Sequence, residues 1–328
     1  MSQLVDRFGR HIEYLRLSVT DRCDFRCVYC MSENPCFLPQ DKVLSLDQLA
    51  WIAQAFTELG VHKIRLTGGE PLVRPDCVQL VSRLAQLPGL TELSMTTNGS
   101  RLNKLAQPLH QAGLSRLNIS LDTLKADKFA NLTRNGKLSR VVAGIDAAIA
   151  AGFERIKLNA VVLKGQNDDE VLDLVEFCRS RKLNIAFIEE MPLGEIDERK
   201  RSRHCSSDEV HDVISARYPL TLSDQRTAGP ARYYSMADSP VHIGFISPHS
   251  HNFCHECNRV RVTVEGKLLL CLGNENAVDL KAIARAYPGD ITRLKQAIIE
   301  AMALKPEAHR FDPDGEVQIL RFMNVTGG

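Results

Sequence analysis

Apolar and polar side chains alternate along several short stretches of this chain. From Tyr14 to Val19, Leu15, Leu17 and Val19 fall on one face and Arg16 and Ser18 on the other, the period of a half-buried strand. Similar runs occupy 63–67, 93–97, 116–121, 155–163 and 184–189. Between them the period lengthens. Ser45 and Gln48 form a capping pair, Leu49, Ile52, Ala53, Phe56 and Leu59 a helical stripe, and Gly60 a stop. Further helices are predicted over 76–87, 101–112, 138–151 and 169–182. Strand and helix in turn imply a parallel α/β sheet with right-handed crossovers. Six such units suit a partial, three-quarter (β/α)6 barrel with its chemistry at the strand C-termini. The pattern decays from 191 to 240, where the charge run 198–203 reads as a solvated loop before a helix near 207–217. The expected division is a barrel domain, 1–195, and a smaller C-terminal region, 196–328, that closes the open side.

Composition narrows the class. Hydrophobic residues make up 44% and charged residues 25% of 328, with a net charge of +1, so bulk attraction to nucleic acid or to a membrane surface is not expected. The first residues lack the apolar core of a signal peptide. The stretch Val141 to Phe153 is broken by Asp146 and is too short to span a bilayer. A cytoplasmic protein is expected, in which ten cysteines point to metal or redox chemistry rather than disulfides.

Six of those cysteines fall in two groups. Cys23-Asp24-Phe25-Arg26-Cys27-Val28-Tyr29-Cys30 packs three thiols into eight residues, a donor set for an iron–sulfur cluster or zinc. A four-iron cube normally takes four cysteines, so three leave one iron open to a small molecule. Structural zinc wants four protein ligands, and Cys36 is the only nearby candidate. In the second group Cys254 and Cys257 are followed, after thirteen intervening residues, by Cys271. Val260, Val262 and Val264 alternate with Arg259, Arg261 and Thr263, Glu265-Gly266 turns the chain, and Leu268 to Leu270 return it, which predicts a hairpin. Zinc stays open here, since His249, His251 or His255 could add a fourth ligand. Arg259 and Arg261 could equally reach a phosphate or a purine carbonyl. Strand ends supply Gly68-Gly69-Glu70-Pro71, whose glycines would let a ligand approach backbone N–H groups and whose glutamate could accept from an ammonium. Cys36, Cys77, Cys178 and Cys205 read as incidental thiols, and Trp51 as core.

CxxxCxxC with an aromatic before its last cysteine resembles the signature of the radical S-adenosylmethionine (SAM) superfamily. The resemblance implies a first 4Fe–4S cluster on Cys23, Cys27 and Cys30 whose open iron is chelated by SAM. Reduction then yields methionine and a 5′-deoxyadenosyl radical. With the second triad and Arg-x-Arg, the chain is similar to the GTP 3′,8-cyclases of molybdenum-cofactor (molybdopterin) biosynthesis, the cofactor biosynthesis protein A family. That likeness implies a second 4Fe–4S cluster on Cys254, Cys257 and Cys271 that binds guanine. GTP would be contacted by Arg16, Lys63, Arg65, Thr96, Lys157, Arg259, Val260 and Arg261, and SAM by Tyr29, Gly69, Glu70, Ser120 and Met191. The tail glycines Gly327 and Gly328 would support SAM cleavage. The implied lyase reaction abstracts the 3′ hydrogen of GTP and joins C3′ to C8. It also implies a low-potential electron donor, cyclic pyranopterin monophosphate synthase as the downstream partner, and a monomer or homodimer. GTP brings about four negative charges, and without a GxxxxGK[ST] loop they must meet side-chain cations. After Cys271, Leu272-Gly273 departs from the family's expected aromatic at 273. Two alternatives remain: a peptide-modifying radical SAM enzyme with an auxiliary cluster, and a zinc-stabilised binding protein.

Overall fold

The computed structural model describes residues 3–191, 203–227, 229–248, 250–251, 253–274, 276–308 and 323–327. Six strands alternate with helices in its first half: β1 (Tyr14–Ser18), β2 (Lys63–Thr67), β3 (Glu92–Thr97), β4 (Arg116–Ser120), β5 (Ile156–Val162) and β6 (Asn184–Glu189). Their order in the sheet is their order in the chain, and every neighbouring pair is parallel. The helix Leu46–Glu58 begins with the expected capping box between Ser45 and Gln48. Helices Cys77–Ala85, Leu102–Gln111, Leu138–Ala150 and Val171–Arg181 follow within a few residues of expectation. The helix Ala126–Thr133 was not foreseen; it is short and no side chain caps it. Among the described residues no helix is long and apolar enough to cross a membrane.

The sheet continues past the six units on both edges. β7 (Leu220–Leu222), β8 (Arg232–Met236) and β9 (Ser239–Ile246) extend one side. β10 (Arg259–Val262), β11 (Lys267–Leu269) and β12 (Ala277–Asp279) extend the other. The order is β12-β11-β10-β1-β2-β3-β4-β5-β6-β9-β8-β7. β9 runs parallel to β6 and β10 parallel to β1, so eight adjacent strands are parallel rather than six. β9 and β10 do not pair with each other, which leaves the sheet open. The predicted hairpin is β10 and β11, antiparallel through Arg261–Leu269 and Val262–Leu268; its turn uses Gly266 at φ +79°.

Period-2 alternation assigns the two faces of the sheet. Leu15, Leu17, Ile64, Leu66, Leu117, Ile119, Leu158 and Val260 point into a continuous apolar core under the helices. The opposite face is polar. At one level of the sheet Arg261, Arg16 and Arg65 are neighbours on adjacent strands. Three guanidinium groups side by side repel one another. An anion beside that row would relieve the repulsion.

Candidate active site

Both cysteine triads open into one chamber at the C-terminal ends of the parallel strands. Its lining includes Cys23, Cys27, Cys30, Cys254, Cys257 and Cys271, and it holds about 2130 Å³ of empty space, part of it continuous with solvent. The enclosed part of that cavity measures about 290 Å³, at the lower end of the range of about 300–1,000 Å³ for small-molecule pockets. Arg16, Tyr29, Arg65, Gly69, Thr96, Ser120, Lys157, Met191, Arg259, Val260 and Arg261 line the same chamber. Lys63 and Glu70 do not line it.

The first cysteine loop is held by backbone contacts from two sides. Arg26 N–H donates to Thr133 O at 2.9 Å and Val28 N–H to Leu132 O at 3.0 Å, while Phe25 packs edge-on against Phe129. On the other side Gly69 N–H donates to Thr20 O and Glu70 N–H to Arg22 O, both at 2.8 Å. A Cβ at Gly68 would stand 2.3 Å from Thr20 O, and one at Gly69 2.4 Å from Arg22 O. The glycine pair therefore lets two backbones touch, and the Gly69 N–H expected for a ligand is spent on the loop. Glu70 is 1% exposed and accepts from Leu72 N–H at 3.0 Å, Thr97 Oγ1 at 2.7 Å and Asn98 N–H at 2.6 Å. Burial raises its carboxyl to about 7 against those bonds. Through these bonds Glu70 staples β2 to β3.

The thiols are shielded as well. Burial, with Glu70 behind it, pushes Cys23 far up; burial, then Asp122, pushes Cys30 up to about 12. Tyr29 donates from its hydroxyl to Asp122 Oδ2 at 2.6 Å. Three soft thiols on one loop are the donor chemistry of an iron–sulfur cluster. Among the described residues no three His, Cys, Asp or Glu side chains gather closely enough for one metal ion. Cys36 is exposed in a separate surface cleft with Arg26 and Glu33. The donor set fits an iron–sulfur cluster.

The second triad sits in a more basic setting. Cys254 precedes the turn into β10 and Cys271 follows β11. Burial pushes the Cys257 thiol up, but Lys305 and Arg259 outweigh it and hold it below its ordinary value. Arg259 lies over the Phe253 ring at 5.1 Å. Val260 turns its side chain into the core between the two arginines. His251 is exposed beside Asp208 and His255 beside Glu256; His249 lies outside the described residues, as do residues 198–202 of the charge run.

The chamber's polar wall carries Asp122, Glu189 and Glu190 as well as cations, but several of the cations are not paired with them. Arg65, Lys157 and Arg261 are 8%, 5% and 7% exposed, yet among the described residues none of the three has an acidic partner. Arg65 donates to Ser94 Oγ at 3.3 Å, and Lys157 to the Tyr233 hydroxyl at 3.2 Å. Burial, then the Arg65 and Arg116 charges, lowers Lys157 to about 8. Burial, then Arg65 and Arg259, lowers Arg16 to about 10. Buried hydrogen-bonding atoms of Thr67, Thr96, Asn118 and Asn159 also find no partner among the described residues. Unpaired polar atoms and crowded charges this deep are costly, and a polyanionic ligand would relieve both. Lys63, at the start of β2, lies further from the strand ends.

The tail enters this site. Arg261 Nη1 donates to Gly327 O at 2.5 Å, and Asn324 Nδ2 to Asp21 O at 3.3 Å. Gly327 has φ +77°, and a Cβ there would stand 2.2 Å from Thr67 Oγ1. Gly328 lies outside the described residues. Tyr233 and Lys305 were missed by sequence reasoning. Asn118 and Asn159, which strand-end polarity and alternation point to, also line the chamber.

An open parallel barrel with a three-cysteine loop at its mouth is the arrangement of a radical SAM enzyme. Residues 17–178 match the radical SAM superfamily and 183–311 the family described as Molybdenum Cofactor Synthesis C. A GTP 3′,8-cyclase of Pseudomonas entomophila (strain L48) is 61% identical over 327 residues, covering 99% of this chain and 98% of that protein. One from Ectopseudomonas mendocina (strain ymp) is 59% identical over 328 residues, 100% and 99% of the two chains. The chain belongs to the GTP 3′,8-cyclase family. Among solved structures, Streptococcus suis SuiB bound to S-adenosylmethionine is similar with a TM-score of 0.61 and 16% identity, over 87% of this chain and 67% of that one. At that identity the likeness speaks to fold alone. Membership brings with it the use of SAM and an iron–sulfur cluster.

Proposed function

We propose that this chain is a radical SAM GTP 3′,8-cyclase that acts as a lyase. It converts GTP to (8S)-3′,8-cyclo-7,8-dihydroguanosine 5′-triphosphate in the first step of molybdenum-cofactor biosynthesis. The observation that carries the reading is the convergence of both cysteine triads and the carboxylate-free cations on one chamber. When bound, the first cluster and SAM supply a 5′-deoxyadenosyl radical.

The chain's own residues bind, orient and exclude water. Cys23, Cys27 and Cys30 would hold one cluster and leave an iron for SAM, with Tyr29, Gly69, Ser120 and Met191 around it. Tyr29 is fixed by Asp122, which sets the edge of that subsite. Cys254, Cys257 and Cys271 would hold the second cluster against the guanine. Arg16, Arg65, Lys157, Arg259 and Arg261 take the triphosphate, and Thr96 supplies a hydroxyl. Gly327, fastened by Arg261, brings the tail to the chamber. Orientation is the chief service: C3′ must face the radical and C8 must face C3′. A low-potential donor, a cytoplasmic location, a monomer or homodimer, and a downstream cyclic pyranopterin monophosphate synthase complete the reading.

Reconstituted protein with SAM, a reductant and GTP is expected to form 5′-deoxyadenosine and a cyclised nucleotide together. Deoxyadenosine without nucleotide turnover rejects the substrate. Iron analysis is expected to give about eight irons per chain; zinc without iron rejects the enzyme.

A further inference from the structure

Two cations outside the chamber's polar wall grip the second cysteine loop. Lys305 follows the helix Ile291–Met302 and is 1% exposed. Its ammonium donates to Leu270 O at 2.6 Å and Arg259 O at 3.1 Å, and stands 3.7 Å from Cys257 Sγ. One carbonyl immediately precedes Cys271 and the other lies two residues after Cys257, on opposite arms of the hairpin. Among the described residues no carboxylate faces this ammonium. Carbonyl oxygens satisfy its donors but leave its charge unbalanced, an expensive arrangement in an interior. The thiolates of a bound cluster would be the missing counter-charge.

The segment that delivers Lys305 is itself fastened. Arg10, held by Asp6 at 2.6 Å, donates through Nη1 to Cys254 O at 2.8 Å and Glu307 O at 2.6 Å. Its Nη2 donates to Pro306 O at 2.6 Å. One guanidinium thus joins the N-terminal stretch, the Cys254 turn and residues 306–307.

We propose that Lys305 is a positioning residue for the second cluster, tying the Cys257 and Cys271 arms together and supplying a fixed positive charge beside its thiolates. The inference rests on the two-cluster reading above. Outer groups that orient ligands set metal retention, and charge near a cluster sets its potential.

The test uses the full chain with Cys23→Ser, Cys27→Ser and Cys30→Ser, so that the second triad is the remaining cluster site. Iron per chain, iron loss to a chelator and the midpoint of a spectroscopically followed reduction are compared for Lys305, Lys305→Met and Lys305→Arg. About four irons are expected with Lys305 intact. Lys305→Met is expected to move the midpoint to more negative potential and to speed iron loss about tenfold or more. Lys305→Arg, which keeps the charge, is expected to return the midpoint towards the parent. A midpoint unchanged in Lys305→Met overturns the proposal, even where iron is lost faster, because a merely structural residue would do that much. A triple-serine parent that holds no iron rejects the two-cluster reading and the proposal with it. Should Lys305→Met not fold, Arg10→Gln releases the 305–307 stretch instead. It is expected to shift the midpoint in the same direction by less, and no shift overturns the proposal.

Discussion

The two cysteine loops carry three thiols each, yet their neighbours are of opposite charge. Asp24, Glu70 and Asp122 surround the first, and burial together with those carboxylates drives its thiols upward. Around Cys257 stand Lys305, Arg259 and Arg10, which pull that thiol down against burial. Negative surroundings make an anionic cluster harder to reduce, and therefore a stronger one-electron donor once reduced. Positive surroundings favour retention of a charged cluster and of an anionic ligand beside it. Similar ligand sets can thus serve ignition in one loop and binding in the other.

The comparison breaks most visibly at the ligands. Cys30→Ala is expected to abolish 5′-deoxyadenosine formation outright. Cys271→Ala should keep part of the SAM cleavage and make no cyclised nucleotide, read as two products of one reaction mixture. Full cyclisation by Cys271→Ala would reject the division of labour. One step smaller is the loss of a wall cation. Arg65→Met removes a buried guanidinium that no carboxylate among the described residues balances. Charged hydrogen bonds contribute about 1.5–3 kcal/mol, so GTP affinity by calorimetry should fall about 10- to 100-fold. Smaller again, Asp122→Asn keeps an acceptor for Val161 N–H and removes one negative charge near the first loop. The midpoint of the first cluster is expected to rise, the reverse of Lys305→Met. A fall would undo the electrostatic contrast.

Much of this arrangement was legible in the chain. Period-2 runs located all six strands of the first half, and the family resemblance singled out Arg16, Arg65 and Lys157 on them and Arg261 on β10. What was lost shows which physics is local. β9 escaped because Pro240 and Gly244 interrupt its alternation; Gly244 is there because a Cβ would stand 3.0 Å from the Tyr233 ring. The parallel pairing of β10 with β1 joins residues more than two hundred positions apart, and no local spacing encodes that. The bonds from Glu70 to β3 were not legible because Gly-Gly-Glu reads alike whether it meets a ligand or a neighbouring backbone. Lys305 stands far along the chain from Cys257, in a segment with no motif at all.

The least expected effect is also the most specific, because it isolates one ammonium. In the ligand-free protein burial and nearby guanidinium groups lower Lys157 to about 8 from the usual 10.5. A triphosphate beside it favours the charged form and restores a higher value. Below pH 8 the lysine is already protonated and binding needs no proton. Above pH 8 the free protein has lost that proton and must regain it on binding, so affinity falls as pH rises. One proton taken up corresponds to about tenfold per pH unit at most, hence less than tenfold between pH 7.5 and 8.5. Phosphate groups with a second ionisation near 6 stay fully charged across that window and do not contribute to the slope. Lys157→Met is expected to bind GTP more weakly and to lose this pH dependence. A slope that survives in Lys157→Met would assign the titration to another group of the wall, with Arg16, lowered to about 10, the next to be replaced.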